Sequence, residues 1–239
     1  MLYVYHIYNE RVEQFINKCI FKDDSVDFIV ISNDKNNDPL CLPDYVKTFY
    51  RDNIGYDFGG WSDALLTDNL YENYDKFIFV NSSVIGPFIP SYFIGKWTDI
   101  YVNGLKENVK LFGSTINDVW DPVNKSHVQS YIFSMDKETL EYLINCNIFS
   151  RNYVSTFRSA IWEKEVLMSR KVIENGWNIG SLLPIYQNID FTNLDSSAIE
   201  KMNRYYSNHN GDFMYNDYRN KYWNEYQLVF IKGNRDIHI

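Results

Sequence analysis

The stretch FYRDNIGYDFGGWSDAL, residues 49–65, sets an aspartate among three glycines. Gly55, Gly59 and Gly60 permit positive φ angles or close backbone approach, and the helix predicted after them presents unpaired N–H groups and the positive end of its dipole. Such a helix start can hold a diphosphate or a ribose hydroxyl, with Asp57 accepting hydrogen bonds from ribose or uracil or ligating a divalent cation. On the glycine pattern alone, a tight turn with Asp57 as the N-cap is the favoured alternative.

The stretch KFIFVNSSVIGPF, residues 76–88, ends an apolar strand in Asn81, Ser82 and Ser83. Ligands of open α/β sheets bind beyond the carboxyl ends of the strands, so these side chains should face the same cleft as Asp57. Amide and hydroxyl groups exchange hydrogen bonds with a ligand, but they make a weak site for Mg²⁺ or Mn²⁺, which prefer carboxylate oxygens. The fingerprints G-x-G-x-x-G and G-x-x-x-x-G-K-[ST] do not occur, which disfavours a dehydrogenase or an NTPase.

Two further segments carry candidate side chains. In IWEKEVLMSRKVIENG, residues 161–176, Glu163 and Glu165 lie in the first half of a predicted helix. A carboxylate that projects from this helix into the cleft could accept the proton of an attacking hydroxyl, although a charged solvent face is more typical of the pattern. In the second segment, residues 113–133, Thr115 ends one strand while His127 and Gln129 begin the next. His127 fits a base, an acceptor-sugar contact or an ordinary loop histidine.

Apolar runs of strand length alternate with stretches of helical period, which predicts an α/β sheet covered by helices on both faces. The predicted strands are Leu2–Tyr8, Val26–Ser32, Lys47–Arg51, Lys76–Val80, Val109–Gly113, Val128–Met135, Trp177–Leu183 and an apolar strand within residues 228–235. The predicted helices are Glu10–Phe21, Gly60–Leu70, Lys96–Leu105, Lys137–Cys146, Ser159–Asn175 and a short one at Ser196–Tyr206. We expect one domain over residues 1–239, with residues 186–225 as a mobile cover over a site or a peripheral extension.

The composition indicates which classes of partner and which compartment are compatible with the chain. The 239 residues carry a net charge of −8, which argues against sequence-independent binding of nucleic acid because acidic residues outnumber the cations that would release phosphate counterions. Three scattered cysteines without metal-type spacing indicate reduced thiols in a cytosol-like compartment. No apolar run reaches the roughly 20 residues of a membrane span, and the start of the chain lacks the pattern of a signal peptide. We therefore expect a cytoplasmic protein, in the host cytosol if it is viral.

Several long motifs in order carry a family resemblance. They are NIGYDFGGWSDAL, YDKFIFVNSSVIGPFIPSY, WTDIY, VKLFGSTIN, HVQSYIFSMDKETLEYL, EVLMSRKVIENGWNIGSLLPIYQ and VFIKGNR. Over residues 49–187 and 226–235 the chain closely resembles glycosyltransferase-A-like domains of the rhamnan-synthesis type. Within that group it looks like the amino-terminal β-L-rhamnosyltransferase domain of a chlorovirus glycosyltransferase and its algal and bacterial relatives.

The resemblance implies a GT-A-like, Rossmann-like fold with a twisted, mostly parallel sheet and a donor bound at the strand ends. It implies that the nucleotide sugar contacts His6, Tyr8, Asn9, Asn33, Asn53, Asp57, Gly59, Asn81, Ser82 and Ser83. Lys232 and Arg235 are expected at the phosphates, and Thr115, His127 and Gln129 on the acceptor side. Because Asn81-Ser82-Ser83 stands where relatives carry a D-x-D metal motif, dependence on Mn²⁺ or Mg²⁺ is in doubt, with Asp57 as the candidate ligand.

The expected activity is an inverting transfer of L-rhamnose or a hexose from a UDP-sugar to a hydroxyl of a glycan acceptor. By position, Glu165 corresponds to the general base of inverting transferases, and Glu163 is the second candidate. The alternative is a catalytically silent module that binds nucleotide sugars or carbohydrate on the same fold. A nucleotidyltransferase is disfavoured because no basic, glycine-rich triphosphate loop is found. Donor sugar, acceptor, linkage, oligomeric state and joined transferase domains stay open.

Overall fold

Strands and helices alternate in the computed structural model, which describes residues 1–35, 40–118, 125–204 and 211–237. The strands are β1 Leu2–Tyr5, β2 Phe28–Ser32, β3 Val46–Tyr50, β4 Lys76–Asn81, β5 Val84–Ile85, β6 Val109–Gly113, β7 Ile116–Asn117, β8 His127–Val128, β9 Ile132–Asp136, β10 Asn178–Ser181 and β11 Ile231–Lys232. The α-helices are α1 Glu10–Cys19, α2 Tyr56–Leu66, α3 Trp97–Gly104, α4 Lys137–Asn145, α5 Phe157–Ser159, α6 Leu167–Glu174, α7 Ser196–Arg204 and α8 Glu225–Leu228. A π-helical segment, Ala160–Val166, joins α5 to α6, and 3₁₀ turns lie at Thr67–Asn73, Pro184–Tyr186 and Asn216–Tyr218.

The central sheet has seven strands in the order β10-β6-β9-β4-β1-β2-β3. Strand β9 is antiparallel to both of its neighbours, and every other adjacent pair in this sheet is parallel. The prediction of a mostly parallel α/β sheet is confirmed, whereas the GT-A assignment stays a prediction. Two small antiparallel pairs, β5–β11 and β7–β8, lie outside the central sheet.

Each face of the sheet is covered by its own set of helices, as the sequence predicts. On β1, Leu2 and Val4 point into one apolar cluster, and Tyr3 and Tyr5 point into the other. The first cluster takes buried residues from α2, α4 and α6, while α1 and α3 supply the second. Because successive side chains of a strand point to opposite faces, the two-sided burial explains why these strands read as continuous apolar runs.

Several element boundaries differ from the sequence-based expectation. β1 ends at Tyr5 rather than Tyr8 because the side chain of Asn9 caps α1, so the chain must leave the sheet before it. The predicted strand Val128–Met135 is divided into β8 and β9, and the break follows the hydrogen bond from the Gln129 N–H to the carbonyl of Thr115. The last apolar run forms α8 and then only the two-residue strand β11.

Two predicted helices also begin or end elsewhere, and one changes its winding. The helix expected at Gly60–Leu70 begins at Tyr56 and ends at Leu66, followed by a 3₁₀ turn. The long helix expected at Ser159–Asn175 is present, but its middle widens into the π-helical segment. The short helix expected at Ser196–Tyr206 ends at Arg204, and its last two predicted residues lie outside the described part of the chain.

The described part of residues 186–225 contributes side chains to the core, and its role as a cover over a site or a peripheral extension stays a prediction. Phe191, Phe213 and Trp223 are buried in the same cluster as α2 and β4. The indole N–H of Trp223 donates to the carbonyl of Phe213 at 2.6 Å, which satisfies a polar group that burial would otherwise penalise. These apolar contacts bind the range to the sheet.

In the described ranges, no helix combines the length and apolar character that crossing a bilayer requires. The three cysteines are free thiols: Cys19 is buried, Cys146 is half-buried and Cys41 is exposed. The predicted reduced state of the cysteines agrees with this arrangement.

Candidate active site at the strand ends

Asp57 lies in the first turn of α2, where the glycines of its loop allow the helix to pack on the sheet. Gly55 precedes the helix with φ +76, a conformation that other residues rarely adopt. A Cβ at Gly60 would lie 2.8 Å from a methyl carbon of Val4 on β1, and one at Gly59 would overlap a backbone carbonyl of the preceding loop. The glycines therefore bring the start of α2 against the central strands.

The amide of Asn81 joins Asp57 to the end of β4. Its Nδ2 donates to Oδ2 of Asp57 at 2.9 Å, and its Oδ1 accepts from the N–H of Ser83 at 3.0 Å and from the hydroxyl of Ser83 at 2.5 Å. Because Ser83 offers only donors to this oxygen, the amide is oriented with its nitrogen toward the carboxylate. Ser82 is half-buried and makes no hydrogen bond within the described residues. Asn81 thus positions Asp57, which the sequence could not indicate.

The carboxyl group of Asp57 is held in an environment that disfavours its charge. The pKa of Asp57 is raised to about 6, chiefly by burial; the hydrogen bond from Asn81 acts against this rise, and the nearby charge of Glu165 adds to it. Lys232 and His6 lower the pKa by smaller amounts. A carboxyl group whose pKa is shifted by burial and by a second acid is a common mark of a functional site. The groups that act on Asp57 therefore come from four segments that are distant along the chain, which carry Asn81, Glu165, Lys232 and His6.

Glu165 lies on the π-helical segment, a helix type that is often found at functional sites. Its Oε1 accepts from the backbone N–H of Ser130 at 3.0 Å, and its Oε2 has no hydrogen-bond donor among the described residues. One turn further on, the hydroxyl of Ser169 accepts from the N–H of Val128, so the helix runs alongside residues 125–130.

Glu163, the second candidate base, is exposed on the same π-helical segment. Burial lowers the pKa of Lys164, and Glu163 acts in the opposite direction on that neighbouring lysine. The ammonium of Lys164 donates to the carbonyls of Asn147 and Ile148. Of the two candidate bases, Glu165 is the one whose charge raises the pKa of Asp57.

Two cations approach from the C-terminal strand. Lys232 pairs with Val84 across β11 and β5, next to the polar end of β4. Arg235 donates to Asp212 at 2.9 Å and lies 5.5 Å from the ring centre of Tyr215. Burial lowers the pKa of the Arg235 guanidinium, but the carboxylates of Asp212 and Glu165 outweigh burial, so that the pKa is raised above its ordinary value. Its Nε atom is buried and has no hydrogen-bond partner among the described residues.

The residues predicted around the nucleoside lie in the loops after β1, β2 and β3. His6 and Tyr8 are exposed, and Nδ1 of His6 lies 3.3 Å from the carbonyl of Asn33. Asn9 is exposed, but its side-chain oxygen is engaged by two N–H groups at the start of α1. Asn33 is buried and donates to Oδ1 of the exposed Asn53 at 3.4 Å. Their contact with a nucleotide stays a prediction.

Arg51 is a site-building residue that the sequence analysis missed. It is buried after β3, where its Nε donates to Asp63 at 2.6 Å and its Nη1 donates to Asn33 at 2.9 Å. A third bond runs from Nη2 to the carbonyl of Ile54, within the loop that leads to Asp57. A charged residue directly after an apolar strand was the available signal, because a buried arginine needs several partners.

The three residues predicted on the acceptor side are enclosed by protein. Thr115 and Gln129 are buried, and the hydroxyl of Thr115 donates to Oε1 of Gln129 at 2.6 Å. His127 is also buried, with Nδ1 lying 2.7 Å from the carbonyl of Lys125. Thr115 and Gln129 bond each other across the end of the β7–β8 pair. Because all three side chains are buried, direct contact with a glycan would require them to move.

The described residues contain no group of three or more histidine, cysteine or acidic side chains that could hold a metal ion. The oxygen of Asp57 that bonds Asn81 is already occupied, and one carboxylate does not complete a Mg²⁺ or Mn²⁺ shell. A cation would fit here only if a bound phosphate supplied most of its ligands.

The fold and these contacts define an α/β domain with an acid-containing polar site at the carboxyl ends of its parallel strands. The profile of the family described as RgpF, rhamnan synthesis protein F, matches residues 28–220. The chain belongs to this family.

Comparison with individual proteins finds similarity to one curated protein and to one solved structure. The chain is 35% identical over 111 residues to virulence protein VirA of Vibrio anguillarum, found both in strain ATCC 68554 / 775 and under the species name. That match covers 44% of this chain and 31% of the relative, so the chain matches about a third of its length. A solved structure of the bifunctional glycosyltransferase WbbM without ligand has a TM-score of 0.39 and 11% identity, covering 84% of this chain and 43% of the other.

Proposed function

We propose that the chain is an inverting glycosyltransferase that moves L-rhamnose or a hexose from a UDP-sugar to a hydroxyl of a glycan. The observation that carries the proposal is the convergence of Asp57, Asn81 and Glu165, which come from a glycine-rich loop, a strand end and a distant helix. Membership of the rhamnan synthesis family supports sugar transfer. Rhamnosyl transfer and the likeness to the chlorovirus domain stay predictions.

In the proposed reaction Glu165 acts as the general base. The Ser130 N–H holds Oε1 of the carboxylate, so Oε2 is available to accept the proton of the acceptor hydroxyl. The oxygen of that hydroxyl then attacks the anomeric carbon as the bond to the diphosphate breaks, and the nucleoside diphosphate leaves with the bonding electrons. One in-line displacement inverts the anomeric configuration. A base in this position contributes roughly 10² to 10⁴ in rate.

The donor would lie between the two acids and the C-terminal strand. Lys232 and Arg235 are the proposed phosphate ligands, and the unpartnered Nε of Arg235 offers a donor that the fold leaves unused. With a pKa near 6, Asp57 is about one-tenth protonated at pH 7, which reduces its repulsion of a diphosphate. If a divalent cation accompanies the donor, Asp57 would hold it together with the phosphates, and the cation would offset the charge of the leaving group.

The test is donor turnover by Glu165→Gln beside the matched variant Glu163→Gln. UDP-sugars are screened for thermal stabilisation of the protein and for release of free UDP, with and without Mn²⁺. We expect Glu165→Gln to retain stabilisation by the donor and to lose at least a hundredfold in rate, because only the proton acceptor is removed. Glu163→Gln should remain close to the parent protein.

The outcomes separate the enzyme from the binding module. A Glu165→Gln protein with a nearly normal rate would refute the assignment of the base. Stabilisation by a UDP-sugar without any release of UDP would instead favour a catalytically silent nucleotide-sugar-binding module.

A further inference from the structure

Three aromatic side chains belong to the elements that carry the two acids and have no role in the reaction proposed above. Phe157 is 68% exposed and Trp162 is 42% exposed, whereas large apolar side chains are usually buried. Tyr56 is half-buried directly before Asp57. Exposed apolar surface that clusters beside a polar site commonly marks a binding surface.

The rings are held by contacts with their neighbours. Phe157 and Tyr56 meet edge to face, with ring centres 6.1 Å apart and planes at 64°. Trp162 is covered on one side by the ammonium of Lys125, 5.1 Å from the ring centre. Such aromatic and cation–π contacts restrict the orientation of the rings. Phe157 and Trp162 nevertheless keep a large exposed surface.

All three rings belong to the segments that carry the acids. Tyr56 is the residue before Asp57 in α2, and Phe157 begins the helix that continues to Glu165. Trp162 precedes Glu165 by three residues, and both contact the segment 125–130, through Lys125 and Ser130. A molecule resting on these rings would therefore lie next to the carboxylate of Glu165.

We propose that Tyr56, Phe157 and Trp162 form an aromatic platform on which a sugar ring of the acceptor glycan stacks. The inference rests on the proposed transfer reaction and names the contact surface of its acceptor. One face of a pyranose ring consists of C–H groups, which pack on aromatic rings, while its edge hydroxyls stay free to reach Glu165. L-Rhamnose, a 6-deoxy sugar, adds a methyl group to this apolar face.

The platform also offers the acceptor glycan a surface that the residues predicted on the acceptor side do not provide. Thr115, His127 and Gln129 are enclosed by protein, so the acceptor needs another surface near the base. The proposed donor ligands, Lys232 and Arg235, approach from the C-terminal strand. We therefore assign the acceptor to the helix that carries Phe157, Trp162 and Glu165.

The test measures binding of a rhamnose trisaccharide by titration calorimetry, with UDP-rhamnose measured in parallel. We expect Phe157→Ala and Trp162→Ala to weaken trisaccharide binding at least tenfold and to change UDP-rhamnose affinity less than twofold. Phe157→Tyr and Trp162→Phe, which keep an aromatic face, should restore most of the affinity. The control is Tyr92→Ala, since Tyr92 is 84% exposed in the loop before α3, and α3 packs on the sheet face opposite to α2. Thermal unfolding verifies that each variant is folded.

Each result decides for or against the platform. Trisaccharide affinity that is absent in the parent protein, or unchanged in both alanine variants, would overturn it. An equal loss of UDP-rhamnose affinity would move the rings to the donor side and overturn the acceptor assignment. Phe157-dependent sedimentation with phosphatidylglycerol vesicles, or Phe157-dependent dimerisation, would assign the surface to a membrane or to a second copy. Platform-dependent trisaccharide binding without UDP release would uphold the surface while the proposed transfer reaction fails.

Discussion

Replacing Asp57 by asparagine should stabilise the folded protein at neutral pH. Burial and the charge of Glu165 raise the pKa of Asp57 to about 6, so the folded state holds this carboxylate at a cost. Asparagine has nearly the same shape, and its side-chain oxygen can still accept the hydrogen bond from Asn81. The substitution therefore removes the half-buried charge while it preserves the contact with β4.

The magnitude follows from the pKa difference between the folded and unfolded states. The value near 6 exceeds the ordinary value of 3.8 by about 2 units, which corresponds to about 3 kcal/mol. Because the folded-state pKa is raised, the folded state binds the proton more strongly than the unfolded chain between these two values. The cost is fully present above pH about 6, decreases as the pH falls through this window, and is absent below pH about 4.

The assay is urea denaturation of the parent protein and Asp57→Asn between pH 4.5 and 8. We expect the difference in unfolding free energy to approach about 3 kcal/mol at pH 7 to 8 and to shrink steadily below pH 6. In thermal unfolding, the same change corresponds to a rise of about 6 to 12 °C for a chain of this size. Asp44→Asn is the control, because Asp44 is exposed and makes no side-chain hydrogen bond or ion pair with the residues that the structure describes.

A neutral or destabilising effect of Asp57→Asn across the whole pH range would refute this reasoning. It would show that Lys232 and His6 offset the unfavourable free energy of the Asp57 charge in the folded state. A stabilising effect that does not depend on pH would also contradict it, because the origin of the gain could not then be the titration of Asp57. Stability gained at the expense of activity is the usual pattern for a residue kept for function.

Two further substitutions test the contacts that build the site. Asn81→Ala should weaken UDP-sugar binding about tenfold, measured by calorimetry, because Asp57 loses the donor that orients it; unchanged affinity would contradict the role given to Asn81. Arg51→Met should lower the unfolding free energy by about 3 kcal/mol in urea, because Asp63 keeps its charge without its main partner. Lys35→Met, which opens only an exposed ion pair, should cost less than about 1 kcal/mol, and equal losses in the two variants would exclude the burial argument.

The sequence predicts the class of fold well because the signal is local. Apolar runs of strand length, helical periodicity and glycines near helix ends arise within a few residues, and they located every strand of the central sheet to within a few positions. The boundaries that moved depend on single contacts, such as the cap that Asn9 provides to α1. The widening of the long helix into a π-helical segment had no local signal.

Part of the candidate site could also be predicted from the sequence. Asp57 and Asn81 follow strands of a parallel sheet, and the carboxyl ends of such strands meet at one edge. The burial of Thr115 and Gln129 could not be predicted, because their polar pattern is the same whether they bond each other or a ligand. Arg51 was missed since burial of an arginine depends on partners that only packing supplies.

The sequence by itself determined an α/β chain with mostly parallel strands and three sets of chemically capable side chains at their ends. Only the tertiary structure decided that Asn81 holds Asp57, that the charge of Glu165 acts on Asp57, and that Arg235 pairs with Asp212. The physical reason is distance along the chain. Periodicity records which side of an element is apolar, whereas the order of the strands and the packing of the helices decide which distant side chains become neighbours.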